Sequence, residues 1–223
     1  NEMSDSGIKS FYKFEDGKKK FYDVNSKTYI NVPSSENHYI LDAFRENNQI
    51  LKNSECTVHD IGEGVMCIEF QTKGNSIGEG IAKGINEAID IAERDGWNGI
   101  VIGNNEKQFS VGANLMNMGM MAMQKNFDEI EKFLVGFQKI LMRMRTCNVP
   151  VVSATHGFVM GGGLEVSIHC DAGIHASESY IGLVEAGVGL IPGGGGTKEM
   201  AMRASDSFNS GDVKMPSLID HFK

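Results

Sequence analysis

The stretch HGFVMGGGLEVSIHCDAGIHA (156–176) decides the fold. VVSAT (151–155), just ahead of it, is a short β-branched run and reads as a strand. HGFVMGGG then reads as a glycine-rich loop, LEVSIHC as the start of a helix, and DAGIHA (171–176) as the next strand. Strand, loop, helix and strand in immediate succession predict an α/β fold.

Toward the N-terminus the same alternation repeats. From Phe127 to Met144 the apolar residues Ile130, Phe133, Leu134, Phe137, Ile140 and Leu141 fall at helical steps, and Pro150 ends that helix. GIVIGN (99–104) is a strand leading into the loop EKQFSVGANL (106–115). Upstream, Ile77, Ile81, Ile85, Ala88, Ile89 and Ala92 form one stripe on a helix that stops near Asp95-Gly96, and VMCIEF (65–70) is a buried strand. Such layers place their functional groups on loops at the strand ends. Residues 1–55 differ in character: KKFYDV and KTYINV are separated by the turn signals DGK, NSK and PSSEN. They read as an appendage or linker from a preceding domain, with the main domain over 56–223. The start at Asn1 suggests a processed product or a piece of a longer polypeptide.

Composition narrows the function. A chain of 223 residues with 41% hydrophobic content can bury one sizeable core. A net charge of −8 argues against nucleic acid, because phosphate contacts need clustered Lys and Arg, and the single basic run, Lys18 to Lys20, reads as a solvated turn. No stretch approaches the roughly 18 consecutive apolar residues of a membrane span, so no membrane role is expected. Cys56, Cys67, Cys147 and Cys170 have no CxxC spacing and read as reduced core thiols, which fits the cytoplasm. No His, Cys and carboxylate cluster has metal-ligand spacing. The histidines, His169 and His175 included, read as structural or surface groups, and Ser153 and His156 are neighbours only in sequence. The Met-rich run Met116 to Met123 suits plain packing or an adaptable pocket.

Three glycine clusters remain: Gly112 in FSVGANL, Gly161 to Gly163 in HGFVMGGGLE, and Gly193 to Gly196 in LIPGGGGTK. A phosphate loop needs Gly-Lys-Ser/Thr, whereas Thr197 precedes Lys198 here, and no strand-to-helix turn carries the dinucleotide fingerprint. Glycine also lets backbone N–H groups face a ligand unobstructed, as an oxyanion hole requires. Glu165 and Glu185 sit in otherwise apolar, glycine-rich surroundings. Either alone reads as a capping or solvated group. Together with the glycine loops, they are candidate acid and base.

These residues carry a resemblance. FSVGANL, HGFVMGGGLEVSIHCDAGIHA and YIGLVEAGVGLIPGGGGTK occur in the order and near-spacing of the crotonase, or enoyl-CoA hydratase, superfamily, over roughly residues 58–203. The resemblance implies a crotonase-like spiral of ββα units with CoA bent across the surface. It implies that the backbone N–H groups of Ala113 and Gly162 grip the thioester carbonyl, that Glu165 and Glu185 are the two catalytic carboxylates, and that the backbone at Val111 contacts the adenine of CoA. Hydratases of the family keep both carboxylates, so hydration of 2-enoyl-CoA in fatty-acid β-oxidation is the implied reaction. That reaction has an acyl-CoA substrate and no cofactor of its own. A Δ3-Δ2 enoyl-CoA isomerase and a non-catalytic acyl-CoA-binding module are the alternatives.

The sequence departs from the family pattern in three ways. Asn114 stands where hydratases commonly carry Asp, GLVEAG lacks the Pro that often precedes the second glutamate, and the chain stops at Lys223 where relatives continue. By resemblance the absent C-terminal helices would cover the acyl pocket and build a homo-oligomer. The polar first 55 residues resemble the junction of a fusion in which a 3-hydroxyacyl-CoA dehydrogenase domain precedes a hydratase.

Overall fold

The computed structural model describes residues 8, 10–15, 18–33, 40–45 and 48–209. An antiparallel sheet of β1 (Tyr12–Glu15), β2 (Lys18–Asp23) and β3 (Thr28–Asn31) comes first in the chain. The central sheet then takes β4 (Gln49–Lys52), β5 (Cys56–Asp60), β6 (Val65–Phe70), β7 (Gly99–Ile102) and β8 (Val151–Thr155). After the short β9 (Phe158–Met160) has left it, β10 (Ala172–His175) completes six strands in the order β10-β8-β7-β6-β5-β4. The strands from β6 to β10 run parallel, whereas β4, β5 and β6 pair antiparallel.

Parallel neighbours need crossovers, and the amphipathic stripes supply them. Helix α1 (Glu79–Asp95) joins β6 to β7 and buries Ile81, Ile85, Ala88, Ile89 and Ala92 on the face that meets β5 and β6. Each isoleucine buried this way contributes roughly 1.5–3 kcal/mol. Helices α2 (Leu115–Met123) and α3 (Phe127–Thr146) span the gap from β7 to β8; α3 packs on α1 and buries Phe137, Leu141 and Met144. The α3 helix ends at Thr146, where Cys147 turns extended ahead of Pro150.

Three sequence expectations need correction. Ile77, expected on the first helix, precedes α1 and bridges Ala113 instead, and Lys18 to Lys20, expected as a solvated turn, opens strand β2 between β1 and β3. HGFVMGGG is not a loop throughout: Phe158–Met160 is a strand, and Gly162 and Gly163 already belong to helix α4 (Gly162–Ile168). Three residues are too few to show a period. The strand exists because β11 (Tyr180–Gly182) pairs with it in parallel and Ser110 bridges its other side. With the bridge between Ile77 and Ala113, these short pairings set a second layer beside the main sheet. The last helix, α5 (Gly196–Asn209), starts inside the run of four glycines and packs on α4.

The segment before residue 56 is joined to the sheet. Leu51 pairs with Val58 and Lys52 with Thr57, and Arg45 reaches Glu69 of β6, which also meets His59 of β5. Among the described residues no helix is long and apolar enough to cross a membrane.

Candidate active site

The site assembles where the second layer meets α4. Its first element is a backbone pair. Gly112, at φ +92°, is backed so closely by β9 that a Cβ there would lie 2.8 Å from the Met160 carbonyl oxygen and 3.2 Å from Gly162 N. Only glycine fits both that conformation and that approach. The next residue, Ala113, thereby comes beside Gly162, whose own Cβ position would be 3.3 Å from Ala113 N. Ala113 lies between two used groups, since Ile77 donates to Gly112 O and Asn114 donates to Ile77 O. Neither the Ala113 N–H nor the Gly162 N–H has an acceptor among the described residues. Two adjacent unpaired amides are the geometry that stabilises a developing oxyanion.

Glu165 follows on the first turn of α4 and is 2% exposed. Its Oε1 accepts from the Gly196 N–H at 2.8 Å, so the glycine run that opens α5 holds the carboxyl in place. Burial pushes the Glu165 carboxyl above its ordinary range, and the charge of Glu185 pushes the same way against the opposing hydrogen bond from Gly196. Glu185 begins a single helical turn, Glu185–Val188, just after β11. It is half-buried, and its Oε2 is enclosed without a hydrogen-bond donor among the described protein atoms. Gly161, at φ +50°, makes room for it: a Cβ there would lie 2.8 Å from Glu185 Oε1.

Both carboxyls line one cavity of about 650 Å³, together with Ala113 and Gly162. Its remaining wall is largely apolar, including Phe133, Leu134, Phe137 and Leu190. The structure thus brings together four of the five residues named from sequence. The fifth, Val111, is absent from the cavity lining; it is 40% exposed, and its N–H donates to Gly74 O at 3.1 Å. Asn114 caps α2, its Oδ1 accepting from the Asn117 N–H, a task for which Asn and Asp serve equally.

Sequence reading missed the groups that fix the site from behind. Gln138 Nε2 donates to Gly193 O at 2.6 Å and ties the glycine run to α3. His169 is 1% exposed and bonds through Nδ1 to the Glu165 carbonyl, while its Nε2 faces Glu199 at 3.5 Å. Glu199 is fully buried and paired with Arg145 of α3 and Lys198. Burial alone would raise its carboxyl, but these cations and His169 hold it below the ordinary range. The signal available in sequence was an acid in the first turn of a helix, which usually marks a solvated group. Ser153 pairs with Ser167 rather than His156. Among the described residues no cluster of three or more His, Cys, Asp or Glu side chains could hold a metal ion.

Comparison with known proteins bears on the family and the fold. The family model described as enoyl-CoA hydratase/isomerase matches residues 60–210. A Bacillus subtilis (strain 168) protein named "Probable 3-hydroxyacyl-CoA dehydrogenase" is 40% identical over 200 residues, covering 89% of this chain and 25% of that protein. A short-chain-enoyl-CoA hydratase of Clostridium acetobutylicum is 36% identical over 102 residues, 46% of this chain and 38% of that one. The crystal structure of an enoyl-CoA hydratase from Polaromonas sp. JS666 superimposes with a TM-score of 0.63 at 23% identity, covering 66% of this chain and 58% of that one, and shows the crotonase-like fold expected from the motifs. The chain spans about a quarter of the Bacillus relative's length.

Proposed function

The chain belongs to the enoyl-CoA hydratase/isomerase family, and we propose that it hydrates 2-enoyl-CoA thioesters. One observation carries this reading: two carboxyls and two unpaired amides open on the same largely apolar cavity. The thioester carbonyl accepts from Ala113 and Gly162. A water lies between Glu165 and Glu185, where it satisfies the buried Oε2 of Glu185. Glu165 takes a proton as the water oxygen bonds to C3, and a carboxylate whose affinity for protons is raised by burial is the stronger base for that step. The C2–C3 π pair moves onto the thioester oxygen, where the amide pair stabilises the charge. It returns as C2 takes a proton from Glu185, which enters this step in its protonated form, and the proton left on Glu165 passes back to Glu185 through the next bound water. The sum is one water added with no change of redox state, so the reaction uses no redox cofactor.

The Bacillus relative, by its name, supports reading residues 56–223 as the hydratase part of a fusion with a 3-hydroxyacyl-CoA dehydrogenase, and a Rickettsia felis relative named "Putative fatty acid oxidation complex trifunctional enzyme", 30% identical over 183 residues, supports a place in fatty-acid oxidation; the cytoplasm is the setting proposed for it. In that setting the preceding segment is fastened to the hydratase sheet through β4 and Arg45. Val111 is retained as the backbone contact for adenine, outside the reaction cavity.

Loss of the conjugated absorbance of crotonyl-CoA tests the proposal on the chain, Glu165→Gln and Glu185→Gln. Hydration predicts turnover that each substitution reduces by at least about 10²-fold. Binding of the thioester without loss of absorbance refutes hydration, and migration of a 3-enoyl double bond that survives one of the substitutions points to the isomerase.

A further inference from the structure

A second cavity, of about 190 Å³, adjoins the first. The two share Met118, Ile130 and Phe133, so these three side chains form the partition between them. Beyond the partition the lining changes. Met121 and Ile77 continue the apolar surface, but at the start of α1 the lining is Glu55, Gly78 and Glu79, joined by Asn114 and Asn117 at the start of α2, with two carboxylates and no Lys, Arg or His. The first cavity, by contrast, has Lys198 in its wall.

The start of α1 would ordinarily draw an anion to this end, because a helix N-terminus presents unpaired N–H groups. Here that place is taken: the Ile81 N–H donates to Glu55 Oε2 at 3.0 Å, and Glu79 adds a second negative charge in the first turn. The Glu55 carboxylate is pressed against Gly78, where a Cβ would lie 2.6 Å from Oε2, so it is held at the cavity rather than free to swing away.

We infer that this second compartment receives the distal end of the acyl chain and selects against acyl groups that end in a carboxylate, with Glu55 and Glu79 as the discriminating residues and Met118, Ile130 and Phe133 as the passage. The inference rests on the acyl-CoA reading above. An acyl chain with a methyl end that passes Met118, Ile130 and Phe133 meets Met121 and Ile77. A carboxylate at the same position meets the charge of half-buried Glu55, whose repulsion is only partly screened, and that of exposed Glu79, which solvent screens more.

Binding of two saturated thioesters of equal length tests this without relying on turnover: hexanoyl-CoA and the monothioester of hexanedioic acid with CoA, titrated calorimetrically into the chain. The expected result is about tenfold or tighter binding of hexanoyl-CoA, the scale of one partly screened like-charge contact. In Glu79→Gln, and further in Glu79→Lys, the ratio shrinks while circular dichroism shows the fold intact. Equal affinities, or a ratio unmoved by both substitutions, overturn the inference and leave the hydratase reading standing. If neither thioester binds, the acyl-CoA reading itself falls and takes the inference with it. A preserved ratio in a chain that fails to hydrate crotonyl-CoA keeps the inference and removes only the catalytic assignment.

Discussion

The Gly196 N–H donates to Glu165 Oε1 at 2.8 Å, across 31 positions of sequence. The first amide of α5 thus orients the side chain proposed as general base, and the loop that ends in four glycines is part of the base's geometry. At Gly194, in the same run, a Cβ would lie 2.5 Å from Glu165 Oε2 and 2.7 Å from Phe137 Cε1, so the loop can pass behind the carboxyl only without side chains.

The amide pair is the feature most sensitive to a single methyl group. Gly112→Ala forces a Cβ against Met160 O at a φ of +92° and displaces Ala113 from Gly162. The expected outcome is a folded protein, by circular dichroism, whose kcat/KM on crotonyl-CoA falls by about 10²- to 10³-fold, the cost of losing one oxyanion donor.

Glu165 should trade stability for function. Its folded-state pKa is raised by burial, so above the ordinary value of 4.5 the unfolded chain loses its proton first and stability falls with rising pH until the folded carboxyl also ionises. Glu165→Gln removes that penalty while keeping an acceptor for Gly196. In urea titrations the variant should match the native chain near pH 4 and become the more stable of the two as pH rises toward neutrality. A constant difference across that range would contradict the burial argument.

Glu69 works in the opposite sense. Burial alone would raise its carboxyl, but hydrogen bonds from His59 and Arg45 outweigh burial and hold it at about 2. Its contribution is therefore full above pH 4.5 and is lost as pH falls from there toward about 2. Glu69→Gln should cost about 1.5–3 kcal/mol near neutrality, the scale of hydrogen bonds to a charged group, since Arg45 is exposed, with the deficit shrinking on acidification. Chemical denaturation at several pH values reads both effects.

The thiols should be inert. Burial pushes Cys56 up to about 11 and Cys67 and Cys170 to about 12, and all four cysteines are free. At pH 8 a thiol reagent should modify half-buried Cys147 first and leave the other three unmodified until the chain is unfolded.

Much of this organisation is legible in the sequence because it is periodic. The stripe that opens at Ile77 appears as a helix from Glu79 onward, with Ile77 itself ahead of it, the run from Phe127 to Met144 as a helix that continues to Thr146, and VMCIEF, GIVI and VVSAT as strands. Phe158–Met160 reads as loop from sequence because its strand character comes from Ser110 and β11, partners distant in sequence. Glu165 and Glu185 could be singled out because a carboxylate amid glycine and aliphatic residues is out of place. Glu199, although more deeply buried than either, could not, because its partners Arg145 and His169 are contributed by other helices.

The sequence by itself determined the α/β alternation and singled out the two glutamates and the glycine clusters, since each depends on local period or on a residue out of keeping with its neighbours; Ala113 and Gly162 come from the family resemblance. Only the tertiary structure decided that both carboxyls open on one cavity, that Gly196 aims Glu165, and that Glu55 and Glu79 close a second compartment behind Met118. Those relations join residues dozens of positions apart, and their geometry comes from the packing of α1, α3 and α5 around the two sheet layers rather than from any local pattern.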